Sequence, residues 1–224
     1  MIEMRDVAFA YPRGGALFKG LTLTLPRGSF HFLTGPSGAG KTTFLRLCIA
    51  DLLPSAGQMT LFGEDAATLG RDAIAGVRRR IGVVHQDTQF LDHLPVAENI
   101  ALPMMVAGQP IDMQAIRDLL AWVQMTGQAR AMPPSLSGGE RQRAALARAV
   151  ILSPDVILAD EPTGNLDWEM SLRLLQLLVE LNRSGKTVLI ATHDLNLIRA
   201  AKQMVSARVL RIAGGRLQTA GAEL

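Results

Sequence analysis

Only one cysteine, Cys48, occurs in the chain. That excludes a disulfide framework within it and fits a reducing compartment. Cys48 falls in an apolar helical stretch and reads as a small core residue rather than a reactive thiol. Aromatics are scarce too, at 4% of residues with a single tyrosine. A core drawn from 48% hydrophobic residues must then be mainly aliphatic, which suits a sheet buried on both faces. No apolar run approaches the ~18 residues that a membrane-spanning helix needs. The opening Met1-Ile2-Glu3-Met4-Arg5-Asp6 lacks the apolar centre of a signal peptide. The chain is expected to be soluble or peripheral, with any spanning done by another protein. Its net charge is only +3, which neither demands nor forbids nucleic acid or anionic lipid. The Arg78-Arg79-Arg80 run reads first as a solvated helix end. His31, His85 and His93 lack the spacing of metal ligands, so no protein-held zinc is expected. No repeat or low-complexity tract appears.

What the chain does contain is organised around Gly35-Pro36-Ser37-Gly38-Ala39-Gly40-Lys41-Thr42-Thr43. The stretch follows the apolar Phe30-His31-Phe32-Leu33-Thr34 and precedes the helix-like Phe44-Leu45-Arg46-Leu47-Cys48-Ile49-Ala50. Strand, glycine-rich loop and helix in that order is the setting of a phosphate-binding P-loop. The glycines free backbone N–H groups to wrap a polyphosphate, and the helix adds its positive end. Lys41 is placed to reach the β- and γ-phosphates, and the Thr42 hydroxyl to hold Mg²⁺. The competing reading is an ordinary glycine-rich turn with no ligand. The four fixed letters with both flanks favour a nucleoside triphosphate site.

Ile2 to Ala10, Ala16 to Leu25 and Ser29 to Leu33 are expected strands, broken at 12–15 and 26–28. Tyr11 stands at the first break, either as a turn residue with a wetted hydroxyl or as a flat platform for a base. Strands are expected at Gln58 to Phe62 and Ile81 to His85, with a helix over Asp72 to Arg80. Gln86 follows at a strand end, which in an α/β sheet faces the ligand crevice. Prolines punctuate 88–135, where Val96 to Met105 and Asp112 to Met125 read as helices of an inserted subdomain. Leu136-Ser137-Gly138-Gly139-Glu140 opens a helix from about Arg141, as a second anion site or as a plain serine cap with flexible glycines. Val156-Ile157-Leu158-Ala159-Asp160 is a buried strand ending in a carboxylate, with Glu161 next. Such an aspartate holds the Mg²⁺ shell in P-loop enzymes, and the second carboxylate can act as general base toward water. Asp167 reads as a helix N-cap. His193 ends the strand Thr187 to Thr192, where it could donate a hydrogen bond to a γ-phosphate. A helix over Asp194 to Met204 and a hairpin at Gly214-Gly215 complete the chain.

Taken together, Gly35–Thr43, Gln86, Leu136–Glu140, Val156–Glu161, Asn165–Asp167 and His193 resemble the motif order of the ATPase subunits of ATP-binding-cassette (ABC) systems, over essentially the whole chain. The Leu-Ser-Gly-Gly-Glu run discriminates, because other P-loop classes lack it. The resemblance implies an α/β P-loop NTPase fold with a mostly parallel core sheet, an N-terminal antiparallel β subdomain and an inserted helical subdomain. The core would span about 1–87 and 136–224, with 88–135 as the helical part. It implies that Tyr11 stacks on adenine and that Gly35 to Thr43 form the Walker A loop. It makes Gln86 a contact to Mg²⁺ and a sensor of the membrane partner. Ser137, Gly138, Gly139 and Glu140 would contact the γ-phosphate of ATP held by the opposite subunit. Asp160 would be the Walker B aspartate, Glu161 the catalytic glutamate, Asp167 part of the loop that communicates across the dimer, and His193 the switch histidine. The family thus implies a head-to-tail homodimer with two ATP at its interface.

Within the family, the Asp160–Asp167 run and the Ala191–Ile198 stretch are similar to the bacterial cell-division ATPases. That likeness implies an FtsX-like transmembrane partner on the cytoplasmic face of the inner membrane, and control of peptidoglycan hydrolases across it. Lipoprotein release and macrolide-type export are the alternatives, since the Asp160–Asp167 run is shared with those ATPases. A soluble DNA or translation factor fits less well, because such relatives carry coiled-coil inserts or two cassettes. No nucleic acid partner is expected.

Overall fold

The computed structural model describes residues 1–12 and 14–219. Arg13, in the expected turn at 12–15, and residues 220–224, at the end of the expected core span, lie outside them. Ten strands and seven α-helices are found among the described residues. The strands are β1 (Ile2–Ala10), β2 (Ala16–Leu25), β3 (Phe30–Thr34), β4 (Ala56–Leu61), β5 (Glu64–Asp65), β6 (Ile81–Val84), β7 (Val156–Asp160), β8 (Thr187–Ala191), β9 (Ala207–Ala213) and β10 (Arg216–Thr219). The helices are α1 (Lys41–Cys48), α2 (Arg71–Arg79), α3 (Val96–Val106), α4 (Met113–Trp122), α5 (Gly138–Val150), α6 (Trp168–Arg183) and α7 (Leu195–Lys202). Short 3-10 turns fall at Thr126–Gln128 and Pro133–Ser135.

The strands form two sheets. One is antiparallel, in the order β2-β1-β4-β5. The other runs β10-β9-β3-β8-β7-β6, parallel from β9 to β6 with β10 antiparallel at its edge. The expected mixture of a mostly parallel sheet and an antiparallel one is therefore present. Every residue of β3, β7 and β8 is buried, as strands covered on both faces require. Alternation sorts their side chains: Phe30, Phe32, Ile157, Ala159, Val188 and Ile190 pack with the helical face of α3 to α7. Leu33, Val156, Leu158, Leu189 and Ala191 pack on the other side with α1 and the antiparallel sheet. The helices of 96–122 join the first of these cores through Val96, Ile100, Ile116 and Leu120.

One close approach sets the helical layer. A Cβ on Gly82 of β6 would collide with the Ala149 carbonyl of α5. Only glycine lets α5 lie this near the sheet.

Candidate active site

Three loops meet at one edge of the parallel sheet because β3 lies beside β8 and β8 beside β7. They are the β3–α1, β7–α6 and β8–α7 connections. The first is the glycine-rich loop. Gly40 has φ 100°, and Phe44 N–H donates to its carbonyl at 2.8 Å, so the helix begins at Lys41. A Cβ on Gly40 would sit 2.8 Å from the ring of buried Phe18. Ser37, Gly38, Gly40, Lys41, Thr42 and Thr43 line a cleft of about 650 Å³ with Tyr11, Leu17, Gln86, Asp160 and Glu161. Gly35, Pro36 and Ala39 shape the loop without lining that cleft: Ala39 N–H donates to the Pro36 carbonyl, and the Gly35 carbonyl accepts from Lys41 Nζ at 3.1 Å.

Cations and carboxylates are interleaved here. Lys41 Nζ lies 3.4 Å from Glu161 Oε1, with both side chains largely buried. His193 Nδ1 lies 3.0 Å from the same oxygen. Thr42 Oγ1 donates to Asp160 Oδ2 at 2.7 Å. Glu161 itself has φ 43°, an uncommon conformation for a residue with a side chain, and its N–H donates to the Ala191 carbonyl at 2.8 Å. Backbone strain of this kind persists where the surroundings over-determine it and recurs at functional sites. Tyr11 is half-exposed. Its ring packs edge-on against Phe9, and its hydroxyl shares a 3.0 Å hydrogen bond with Thr43 Oγ1. The ring is thus tethered at the mouth of the cleft.

Gln86 lines the cleft from the end of β6, and its carbonyl accepts from Gln142 Nε2 at 2.7 Å. Buried Gln142, on α5, therefore ties the Gln86 loop to that helix. Nothing in the sequence marks it out, because a glutamine one turn into an amphipathic helix reads as solvated. Tyr11–Thr43 is equally invisible in sequence, as its members are 32 residues apart.

Ser137, Gly138, Gly139 and Glu140 do not enter the P-loop cleft. They line a separate one of about 480 Å³, with Arg143, Asn165 and Asp167. Gly138 and Gly139 stand inside the first turn of α5 rather than in a loop before it. The reason is a capping box: Ser137 Oγ accepts from Glu140 N–H, and Glu140 Oε2 accepts from Ser137 N–H at 2.9 Å and from its hydroxyl at 2.7 Å. These bonds hold the Glu140 carboxyl below the usual carboxylate range, with the Ser137 hydroxyl contributing most. Asp167 caps α6 by accepting from Met170 N–H at 2.9 Å. His193 and Glu161 border a third recess together with Trp168 and Leu195. One copy of the chain therefore carries two glycine-rich helix starts that face different clefts.

The sequence model of the ABC transporter family matches residues 18–164. The chain belongs to that family. It is 42% identical to the cell division ATP-binding protein FtsE of Bacillus subtilis (strain 168), over 92% of each chain. It is 45% identical to FtsE of Haemophilus influenzae, over 89% of this chain and 93% of that protein. Against FtsE of Escherichia coli (strain K12) the identity is 42% over 97% of both. Among solved structures, the ABC cassette MJ0796 matches with a TM-score of 0.87 and 30% identity over 98% of both chains. That structure is a dimer in a post-hydrolysis state bound to ADP and Pi. A second dimeric MJ0796 structure gives 0.86 and 31%. As an ABC cassette homologous to FtsE, the chain is an ATP-hydrolysing subunit. No helix among its described residues is long and apolar enough to cross a membrane.

Proposed function

We propose that this cassette hydrolyses Mg²⁺-ATP at a site shared by two copies of the chain, and drives an FtsX-like membrane protein that regulates cell-wall hydrolysis in division. The observation carrying the reading is the separation of the clefts. Lys41, Thr42, Asp160 and Glu161 line one, with His193 in the recess that adjoins it through Glu161, while Ser137, Gly138, Gly139 and Asp167 line another. A head-to-tail pair would close each P-loop with the other copy's Ser137 turn.

The residues divide the work by chemistry. Tyr11 offers its ring face to adenine. The loop N–H groups and Lys41 hold the β- and γ-phosphates. Thr42, Asp160 and Gln86 present hard oxygen donors suited to Mg²⁺, and the 2.7 Å Thr42–Asp160 contact shows two of them already adjacent. Mg²⁺ bound there neutralises phosphate charge. Glu161 accepts a proton from the water that attacks the γ-phosphorus, and the bond to the β-phosphate oxygen breaks to give ADP and phosphate. His193 holds the Glu161 carboxylate in place through the 3.0 Å contact. Lys41 also lies 3.4 Å from that carboxylate, so the γ-phosphate competes with Glu161 for the ammonium. Binding of substrate then releases the base.

A membrane partner fits a second feature. A groove of about 780 Å³ runs between α2, α3 and α5, lined by the apolar Ile74, Val83, Pro103 and Val106 and by the basic Arg71, Arg78, Arg79 and Arg148. It suits a short apolar helix with acidic flanks. Occupancy by the partner would hold the cassette at the cytoplasmic face of the inner membrane. The groove also supports treating 88–135 as a helical subdomain beside a core of 1–87 and 136–224.

The test is Glu161→Gln. Turnover should fall by about 10²–10⁴-fold, the usual worth of a general base, while ATP traps a dimer with two nucleotides visible by sedimentation. Turnover near the parent rate would remove Glu161 as the base.

A further inference from the structure

A pocket of about 230 Å³ opens between α4, α6 and the start of β7. The far end of β7 carries Asp160 into the nucleotide cleft, so the pocket lies at the opposite edge of the parallel sheet. Its wall is apolar: Leu119 and Trp122 from α4, Val150 from α5, Ile157 from β7 and Leu181 from α6. Val150 and Ile157 are buried members of the core on the helical face, so the pocket reaches into that core. An apolar cavity of about 150 Å³ is enough to take a benzene molecule, which leaves room here for a somewhat larger ligand. None of these residues lines the nucleotide cleft.

One charge stands in this lining. Lys186 is half-buried, and its Nζ donates to the Ser153 carbonyl at 3.1 Å and to the Ser153 hydroxyl at 2.9 Å. Ser153 has φ 49°, uncommon for a residue with a side chain, and in that conformation both its oxygens meet the ammonium. Both are neutral acceptors. Among the described residues, no carboxylate reaches ion-pair distance of Lys186. Glu180 is engaged across the junction, where its Oε2 accepts from Trp122 Nε1 at 2.8 Å. The Ser184 hydroxyl is turned back to the Leu181 carbonyl. The pocket thus combines an apolar wall with a cation that lacks a counter-charge. A neutral occupant would satisfy the wall alone, and a cationic one would be repelled. An apolar carboxylate satisfies both, and a charge-assisted hydrogen bond is about twice as strong as a neutral one.

We infer that this pocket binds a compact apolar carboxylate, with its hydrocarbon part against Trp122 and Ile157 and its oxygens on Lys186. The site stands independently of the shared ATP site. α4 belongs to the inserted helices, while α6 and β7 belong to the core. An occupant therefore braces the two parts against each other, beside the Trp122–Glu180 bond. It leaves the nucleotide cleft open and binds alongside ATP.

Trp122 reports on its own pocket once Trp168, the other of the two tryptophans, is replaced. The experiment titrates the Trp168→Phe chain with octanoate, octanol and octylamine, with and without ATP, and follows indole fluorescence and thermal unfolding. Octanoate should give a saturable fluorescence change and raise the melting temperature. It should bind about tenfold tighter than octanol, and octylamine should bind more weakly still. Lys186→Met should weaken octanoate by about tenfold and leave octanol within about twofold. Leu119→Phe, which narrows the pocket, should weaken both. ATP should leave octanoate bound. Absence of a saturable change overturns the inference, and so do equal affinities for the three probes. An octanoate affinity unmoved by either variant, or displacement of octanoate by ATP, places the ligand elsewhere and overturns it too. Should Lys186→Met melt too low to titrate, the ranking of the three probes on the Trp168→Phe chain still decides.

Discussion

Gly40 is the residue on which the P-loop geometry turns. Its φ of 100° and its approach to Phe18 leave no room for a side chain. Gly40→Ala is expected to cost about 1–3 kcal/mol through strain and displacement of the ring, measured by urea unfolding, and to weaken ATP binding because the loop must shift. Unchanged stability would mean that Phe18 yields. His31 is a second residue with a defined consequence. It is buried in β3 with an unpartnered Nδ1, and burial, helped by the Arg208 guanidinium, pushes its pKa from 6.5 down to about 4. The folded state therefore favours the neutral ring. Its contribution is full above about pH 6.5 and is lost as pH falls through about 4. The melting temperature should drop across that window, and His31→Leu should remove that part of the drop. Identical acid sensitivity in the variant would move the cause elsewhere. Residue types at motif positions were readable in sequence because their chemistry is spelled locally: Lys41-Thr42, Asp160-Glu161 and His193 each end an apolar strand or open a helix. Arg143 and Gln142 were not readable, since only packing separates a buried helical polar residue from a wetted one.

Elements were legible where hydrophobic period and punctuation agreed. The boundaries of β1 and β2 match the expected strands, and the Gly214-Gly215 hairpin is present. Two helices, α1 and α5, start earlier than their apolar pattern predicts. The apolar pattern of α1 begins at Phe44, yet left-handed Gly40 lets the helix start at Lys41. In α5 the capping box draws Gly138 and Gly139 into the first turn, against their low helix propensity. Two-residue β5 and the 3-10 turns carry no pattern long enough to detect. The capping box has its own test. Glu140→Ala should cost about 1 kcal/mol, seen as a fall of about 2–4 °C in melting temperature for a chain of this size. Glu140→Gln should retain most of that stability, since glutamine also serves at this position. An equal loss in both would point to charge rather than the cap.

For the whole molecule, topology does the gathering. Adjacency of β3, β8 and β7 brings the P-loop, Glu161 and His193 together from distant parts of the chain, and no local sequence pattern encodes that adjacency. The sequence order of motifs nonetheless pointed to the family. The arginine-lined groove carries the prediction for the membrane partner. Val106, an exposed residue of its lining, should tolerate Val106→Asp with unchanged ATPase activity of the isolated cassette. Capture of the FtsX-like partner in detergent should weaken by tenfold or more. Undiminished capture would place the partner elsewhere. The central claim is that the site becomes whole only when two copies meet, and specific ATPase activity as a function of chain concentration tests it most directly. A shared site predicts that activity per chain climbs with concentration and levels off as dimers saturate. Constant activity per chain, down to concentrations where sedimentation finds only monomers, would contradict it.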